Sequence, residues 1–379
     1  MKQSTDRILT THTGSLPRTA PMLAQLRARR AGQAVDEAAF RKEVTSAVTE
    51  TVNRQIRCGV DVVNDGEQGK PDYSTYIRDR LTGFDGEPVI MRGARDQAEF
   101  PDYAQAQPGQ GRPSGPACNG PISWKDFSAT QRDLDNLAAA IKAHPPAGEA
   151  FMTAVSPGQA ARFMPNRYYK SHEDYLHALA AVLADEYKAI ADAGFILQVD
   201  CPDLASGWNN QHRNLSVPEF VKVVEMHVEV LNNAVKDIPA DRMRLHLCWG
   251  NYEGPHNHDI PLADIIRPVL KARPAGLSFE GANPRHAHEW RVFETVKLPA
   301  GKVLIPGVLD STTNFIEHPE LVADRICQYA KLVGRENVIA GSDCGFATAA
   351  EGSRIFPTIA WAKLSAMSEG TRIASKRLW

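Results

Sequence analysis

The stretch Met243–Asn251, MRLHLCWGN, alternates apolar and polar residues, and its reading decides the fold. Alternation marks a strand, in which residues two apart point to one side. His246 and Cys248 therefore face a single point in space. Seven further β-rich runs lie outward from it, at residues 8–12, 60–64, 150–155, 195–200, 276–280, 302–309 and 337–342. Between the later runs the apolar spacing changes to three and four, which predicts helices over 173–193, 217–235, 262–271 and Pro319–Val333. Ser216, with Glu219 three residues on, forms a capping-box pattern. Eight strands alternating with helices predict a parallel sheet closed into a single (β/α)8 TIM barrel over residues 1–379. A doubly wound open sheet is the competing topology, but no GxGxxG follows the first run.

One segment breaks the rhythm. Residues 84–148 are rich in Pro, Gly and Gln and too long for an ordinary loop. They read as an insertion after the second strand, a lid over the barrel mouth, and contain a helix over SATQRDLDNLAAAIKAH capped by Ser128 or Thr130.

With 379 residues, 43% hydrophobic content and a net charge of −2, the chain can bury a large core and offers no surplus charge for nucleic acid or an anionic membrane. No apolar run is long enough to span a bilayer, and the N-terminus has no secretory pattern. Six scattered cysteines are not a disulfide framework, so a cytoplasmic, reducing setting is expected. A homo-oligomer is compatible with this composition.

Functional groups of such a barrel collect at the C-terminal ends of its strands. His246 and Cys248 end the fifth run, Glu280 the sixth and Cys344 the eighth. One imidazole, two thiolates and a carboxylate make a tetrahedral set for Zn2+. The alternative is that the two cysteines are buried apolar side chains. Glu67 and Asp200 are strand-end carboxylates able to accept hydrogen bonds from a ligand ammonium, or else to make salt bridges or caps. Arg18, Arg162 and Arg167, with Lys70 and Lys170, follow the first three strands and can hold an anion or remain solvated. His256, His258, His286 and His288 form two His-x-His pairs on later loops, either a second metal site or supports of the first.

The motifs THTGSLPR, DGEQ, LQVDCPDLA, HLCWGN, SFEGAN and GSDCGF resemble the C-terminal catalytic barrel of the cobalamin-independent methionine synthases. They resemble still more the single-barrel members of that superfamily, which include epoxyalkane:coenzyme M transferase. The resemblance implies zinc at His246, Cys248, Glu280 and Cys344, activating a small-molecule thiol for S-alkylation by an alkyl donor, the two partners expected. It further implies an amino-acid thiol held by Ser15, Glu67 and Asp200, with Glu280 and Asp200 as the catalytic pair. Methyl transfer to homocysteine or a related thiol is the first expectation, and opening of an epoxide by a sulfonated thiol the second. A metal-free enzyme like uroporphyrinogen decarboxylase, or a non-catalytic barrel binding a metal or a corrinoid-carrying partner, are the remaining readings. This chain departs from the family in having Cys201 where a glutamate follows the fourth-strand aspartate. It also has Thr312 near the place of the seventh-strand histidine, and no tryptophan in AVSPGQAARFMPNRYY.

Overall fold

The computed structural model describes residues 1–90, 93–106, 113–349 and 354–379. Its strands in chain order are β1 (Leu9–Thr10), β2 (Gly86–Ile90), β3 (Pro113–Ala117), β4 (Phe151–Val155), β5 (Ile196–Asp200), β6 (Met243–Leu247), β7 (Gly276–Phe279), β8 (Val303–Leu309) and β9 (Ile339–Ser342). Seven of them form one parallel sheet in the order β1-β9-β8-β7-β6-β5-β4, while β2 and β3 pair as a separate antiparallel hairpin. The eighth position of the barrel ring is a set of bridges and not a full strand. Val62 N donates to Thr10 O at 3.0 Å, Val63 N to Glu149 O at 3.1 Å, and Phe151 N to Val63 O at 2.9 Å. The run at 60–64 is kept from a longer ladder by its own aspartate: Asp61 Oδ2 accepts Thr10 N at 2.9 Å, an amide that a neighbouring strand carbonyl would otherwise take.

The outer helices follow the predicted spacing. Pro319–Val333 buries Val322, Ala323, Ile326, Tyr329 and Ala330, begins with proline in its first turn and stops at Gly334, whose φ is +89°. Val217–Ala234 starts with the Ser216–Glu219 capping box. The helix Ser128–Ala143 starts differently from expectation: Asp126 Oδ1 accepts the Ser128 amide at 2.8 Å, so the aspartate two residues upstream supplies the acceptor. This helix lies on Glu37–Arg57, where Thr45 Oγ1 donates to Asn136 Oδ1 at 2.7 Å.

Elsewhere in 84–148, the short helices Arg95–Glu99 and Pro101–Ala106 reach the loop after β6. Asp96 accepts from the Tyr252 hydroxyl and the His256 amide, and Glu99 accepts from Asn257 and His258. The stretch 107–112 of this segment lies outside the described residues. Among the described residues no helix is long and apolar enough to cross a membrane.

Inside the barrel, alternation sends Arg244, His246 and Cys248 to the axis. Arg244 forms the floor: it donates to Gln198 Oε1 at 2.7 Å, Thr11 Oγ1 at 2.8 Å and His12 O at 2.7 Å, with its guanidinium 3.5 Å from the Phe151 ring centroid. Gln198 passes the contact upward, donating to Asp200 Oδ1 at 2.7 Å. The register pairs Asp200 with His246 across β5 and β6, so the floor and the residues above it are fixed together.

Candidate metal and substrate site

Three donors meet above that floor. One ligand atom each from His246, Cys248 and Cys344 lies within 4.8 Å of the other two, and all three residues are buried. The two Sγ atoms are 3.9 Å apart. That is far beyond a disulfide and close to the roughly 3.8 Å that separates two thiolates on one tetrahedral zinc with bonds of about 2.3 Å. His246 Nε2 is buried and has no hydrogen-bond partner, while Nδ1 lies 3.2 Å from Ser278 Oγ. Burial pushes His246 down to about 3, so it is neutral and able to offer a lone pair. The neighbouring Cys344 and burial push the Cys248 thiol well above its ordinary range. A buried pair of thiolates thus requires a cation between them. The chemistry of this set fits a soft divalent metal.

Glu280 stands at the edge of the group. Its Oε1 accepts the Trp249 amide and its Oε2 the Asn283 side-chain amide, both at 2.7 Å. Burial and the nearby Cys248 push its carboxyl well up. Asp343, adjacent to Cys344, holds the loop after β7 through the amides of Gly281, Ala282 and Asn283, each at 2.8 Å. Glu280 is thus outside the group of three donors but tied to the backbone that carries one of the thiols.

A cavity of about 250 Å³ opens beside the three donors and is also lined by Ser15, Glu67, Asp200, Tyr73 and Arg162. Ser15 Oγ and Glu67 Oε2 are buried there without partners. Glu67 sits in the left-handed region at φ +56°, an unusual conformation for a side chain of its size. Three contacts hold it there: Asp65 Oδ1 accepts its amide at 3.0 Å, Arg18 donates to its carbonyl at 2.6 Å, and Thr153 Oγ1 donates to its Oε1 at 3.0 Å. Burial raises the carboxyl of Glu67 and, more strongly, that of Asp200, to which the charge of Glu67 adds. Two buried carboxylates in one pocket call for a cationic partner.

The predicted basic residues separate. Arg18 spends its guanidinium on the carbonyls of Ala347, Glu67 and Lys70 and does not line the cavity. Arg167 is exposed, away from the cavity. Only Arg162 of the three enters it. Lys70 is buried beneath Glu67, donating to Thr153 O at 2.7 Å. Thr312 turns back to Asp310 Oδ1 at 2.8 Å and stays off the cavity wall. The loop histidines behave as supports. His256, Asp259 and His286 do come together within 4.8 Å, but Asp259 Oδ2, 2.7 Å from His256 Nδ1 and 3.1 Å from His286 Nε2, joins them by hydrogen bonds. Burial opposes charge on His286, but Asp259 and Glu289 outweigh it and push it up to about 10. The imidazolium stacks on Trp249, 4.2 Å between centroids, next to Cys248. His258 pairs with Glu99 of the excursion. Tyr73 and Gln159 were not readable as site residues, because each acts through a partner brought by another element, whereas Asn283 reaches Glu280 from three residues away in the same loop.

Known proteins resemble this chain in sequence and in fold. The family model of the cobalamin-independent synthase catalytic domain matches residues 8–89 and 163–366. A methionine synthase of Saccharolobus solfataricus is 24% identical, the match covering 97% of this chain and 95% of that protein. A methionine synthase of Thermococcus kodakarensis is 25% identical over 96% and 93% of the two chains. Among solved structures, a B12-independent methionine synthase from a Shewanella species, in complex with selenomethionine, superposes with a TM-score of 0.74 at 20% identity, covering 98% of this chain and 99% of that one.

Proposed function

The chain belongs to the cobalamin-independent synthase family by its catalytic domain, and from that premise we propose that it is a zinc-dependent S-alkyltransferase that methylates homocysteine or a related thiol. The observation that carries this reading is the set of unpartnered buried atoms in one cavity: Ser15 Oγ, Glu67 Oε2 and His246 Nε2, beside two free thiols. An amino-acid thiol answers them together. Its ammonium is shared between Glu67 and Asp200, its polar end takes a hydrogen bond from Ser15, and its sulfur reaches the His246–Cys248–Cys344 group.

Zinc held by His246, Cys248, Cys344 and Glu280 supplies, when bound, a Lewis acid that keeps the acceptor sulfur in its nucleophilic thiolate form near neutral pH. Glu280 is the hardest donor of the four and already has two hydrogen-bond donors to fall back on, Trp249 N and Asn283 Nδ2. Of the four it would be the one to give up its place to an incoming sulfur. Asp200 is held by Gln198 and the Arg244 floor, which fixes the direction of the ammonium and with it the line of attack. Of the segment 84–148, residues 93–106 act as a lid in this reading, because Asp96 and Glu99 grip the loop that follows Cys248, while Ser128–Ala143 packs on the outer helix Glu37–Arg57. The free cysteines suit a cytoplasmic enzyme.

The test is the zinc X-ray absorption spectrum of the protein, titrated with homocysteine and with 2-mercaptoethanesulfonate. Entry of one sulfur in place of an oxygen supports the proposal, and the thiol that enters separates methyl transfer from epoxide opening. A metal shell that ignores both thiols, or the absence of zinc, removes it.

A further inference from the structure

The cavity has a second pole that the acceptor thiol leaves unused. Glu67 and Asp200 form an acidic end, whereas Arg162 enters the same cavity from the short helix Pro157–Phe163 that follows β4. Its Nε is buried and has no hydrogen-bond partner. Its Nη1 donates to Ser206 Oγ and, at 3.4 Å, to Gln159 Oε1. No carboxylate pairs with Arg162 among the described residues. The acid that attracts it, Asp203, has one oxygen 2.8 Å from His227 and the other accepting from Ser156 at 2.7 Å.

The same glutamine orders a second donor. Gln159 Nε2 donates to the Tyr73 hydroxyl oxygen at 2.8 Å, which leaves the Tyr73 proton free to be donated elsewhere, and Tyr73 also lines the cavity. Gln159 thus bridges a guanidinium and a phenol whose remaining donors have no acceptor among the described residues. A partly buried guanidinium without a counter-ion is costly unless a ligand supplies the charge, and its planar fork matches carboxylate, sulfonate or phosphate oxygens.

We propose that Arg162 and Tyr73, set by Gln159, form an anion subsite that selects an alkyl donor carrying an acidic group. This rests on the reading above in one respect only, that the acceptor occupies the Glu67–Asp200 end. The reactive carbon of the donor then lies between its anchored acid and the acceptor sulfur, so the subsite sets donor specificity and takes no part in bond making.

The experiment is isothermal titration of the zinc-loaded protein, with and without saturating homocysteine, using methylphosphonate and methanesulfonate as probes and dimethyl sulfone as the neutral control. The expected result is saturable binding of an anion but not of the sulfone, weakened about ten-fold by Arg162→Gln and partly restored by Arg162→Lys. Homocysteine affinity should be unchanged in both variants, and anion binding should persist with homocysteine present. Absence of saturable anion binding, or equal binding by Arg162→Gln, overturns the subsite. Competition between anion and homocysteine, with both weakened in Arg162→Gln, overturns the donor assignment and moves Arg162 to the acceptor. Failure of homocysteine to bind at all would instead remove the alkyltransferase reading, and the anion titration would still report on Arg162. Circular dichroism and the thermal midpoint of each variant separate loss of the subsite from loss of the fold.

Discussion

Asn283 donates its side-chain amide to Glu280 Oε2 at 2.7 Å while the same nitrogen lies 3.0 Å from Asp343 Oδ2. The carboxylate proposed as the exchangeable metal ligand is thus coupled to the residue beside Cys344. Outer partners of this kind orient ligands, and their loss weakens metal binding by roughly 10–100-fold. Asn283→Ala should lower zinc affinity in that range, measured by competition with a chromophoric chelator. An unchanged affinity would mean that Glu280 does not depend on Asn283 for its position.

Zinc should also stabilise the folded state, since the unfolded chain offers no preformed site. Free zinc at a thousand times its dissociation constant stabilises by about 4 kcal/mol. Calorimetry should show a lower melting temperature after chelator treatment of the wild type, restored by zinc. Cys248→Ser and Cys344→Ser should each blunt that response. A wild-type midpoint indifferent to chelator and zinc would return the two cysteines to the role of buried apolar side chains.

The parts of the molecule that were legible in the sequence are those governed by short-range rules. Alternation in MRLHLCWGN places His246 and Cys248 on one side, and the βα rhythm places Cys344 at the end of β9, three strands round the same ring, so their convergence at the barrel mouth follows from backbone geometry. The run at 60–64 obeyed the same pattern, yet Asp61 diverted the Thr10 amide into a side-chain bond. Tertiary partners decide the arginines. Arg18 and Arg162 look alike in the chain, but one meets three carbonyls and the other meets a cavity. The left-handed turn at Glu67 is likewise invisible beforehand, although Gly14 is an echo of it: a Cβ there would come within 2.8 Å of Glu67 Oε1. No local pattern reports an approach between residues so distant in sequence.

Glu67 and Asp200 should discriminate among thiols by their charge. Glu67→Gln and Asp200→Asn each remove a charged acceptor for the ligand ammonium, worth about 1.5–3 kcal/mol, or roughly 10–100-fold in affinity. Homocysteine binding should fall by that factor, while 2-mercaptoethanesulfonate, which carries no ammonium, should be little affected. Calorimetric titration of both thiols into each variant makes the comparison. Equal losses for the two thiols would mean that the carboxylates shape the cavity without contacting an ammonium.

Acid sensitivity should trace in part to His12. The ring is buried between the first two strand positions, its Nε2 2.7 Å from Gln55 Oε1 and its Nδ1 accepting the Gly14 amide at 3.2 Å. Burial pushes it from the ordinary 6.5 down to about 3, against the opposing pull of Gln55. The unfolded chain therefore binds a proton between these values while the folded one does not. Stability from the neutral ring is present above pH 6.5 and is lost as pH falls toward 3. Between pH 7 and pH 5 the linkage amounts to about 2 kcal/mol. Urea unfolding at the two pH values should show that His12→Gln, whatever its overall stability, loses about 2 kcal/mol less than the wild type on acidification. Equal losses in the two proteins would show that His12 carries the same proton affinity folded and unfolded, and that the acid sensitivity arises elsewhere in the core.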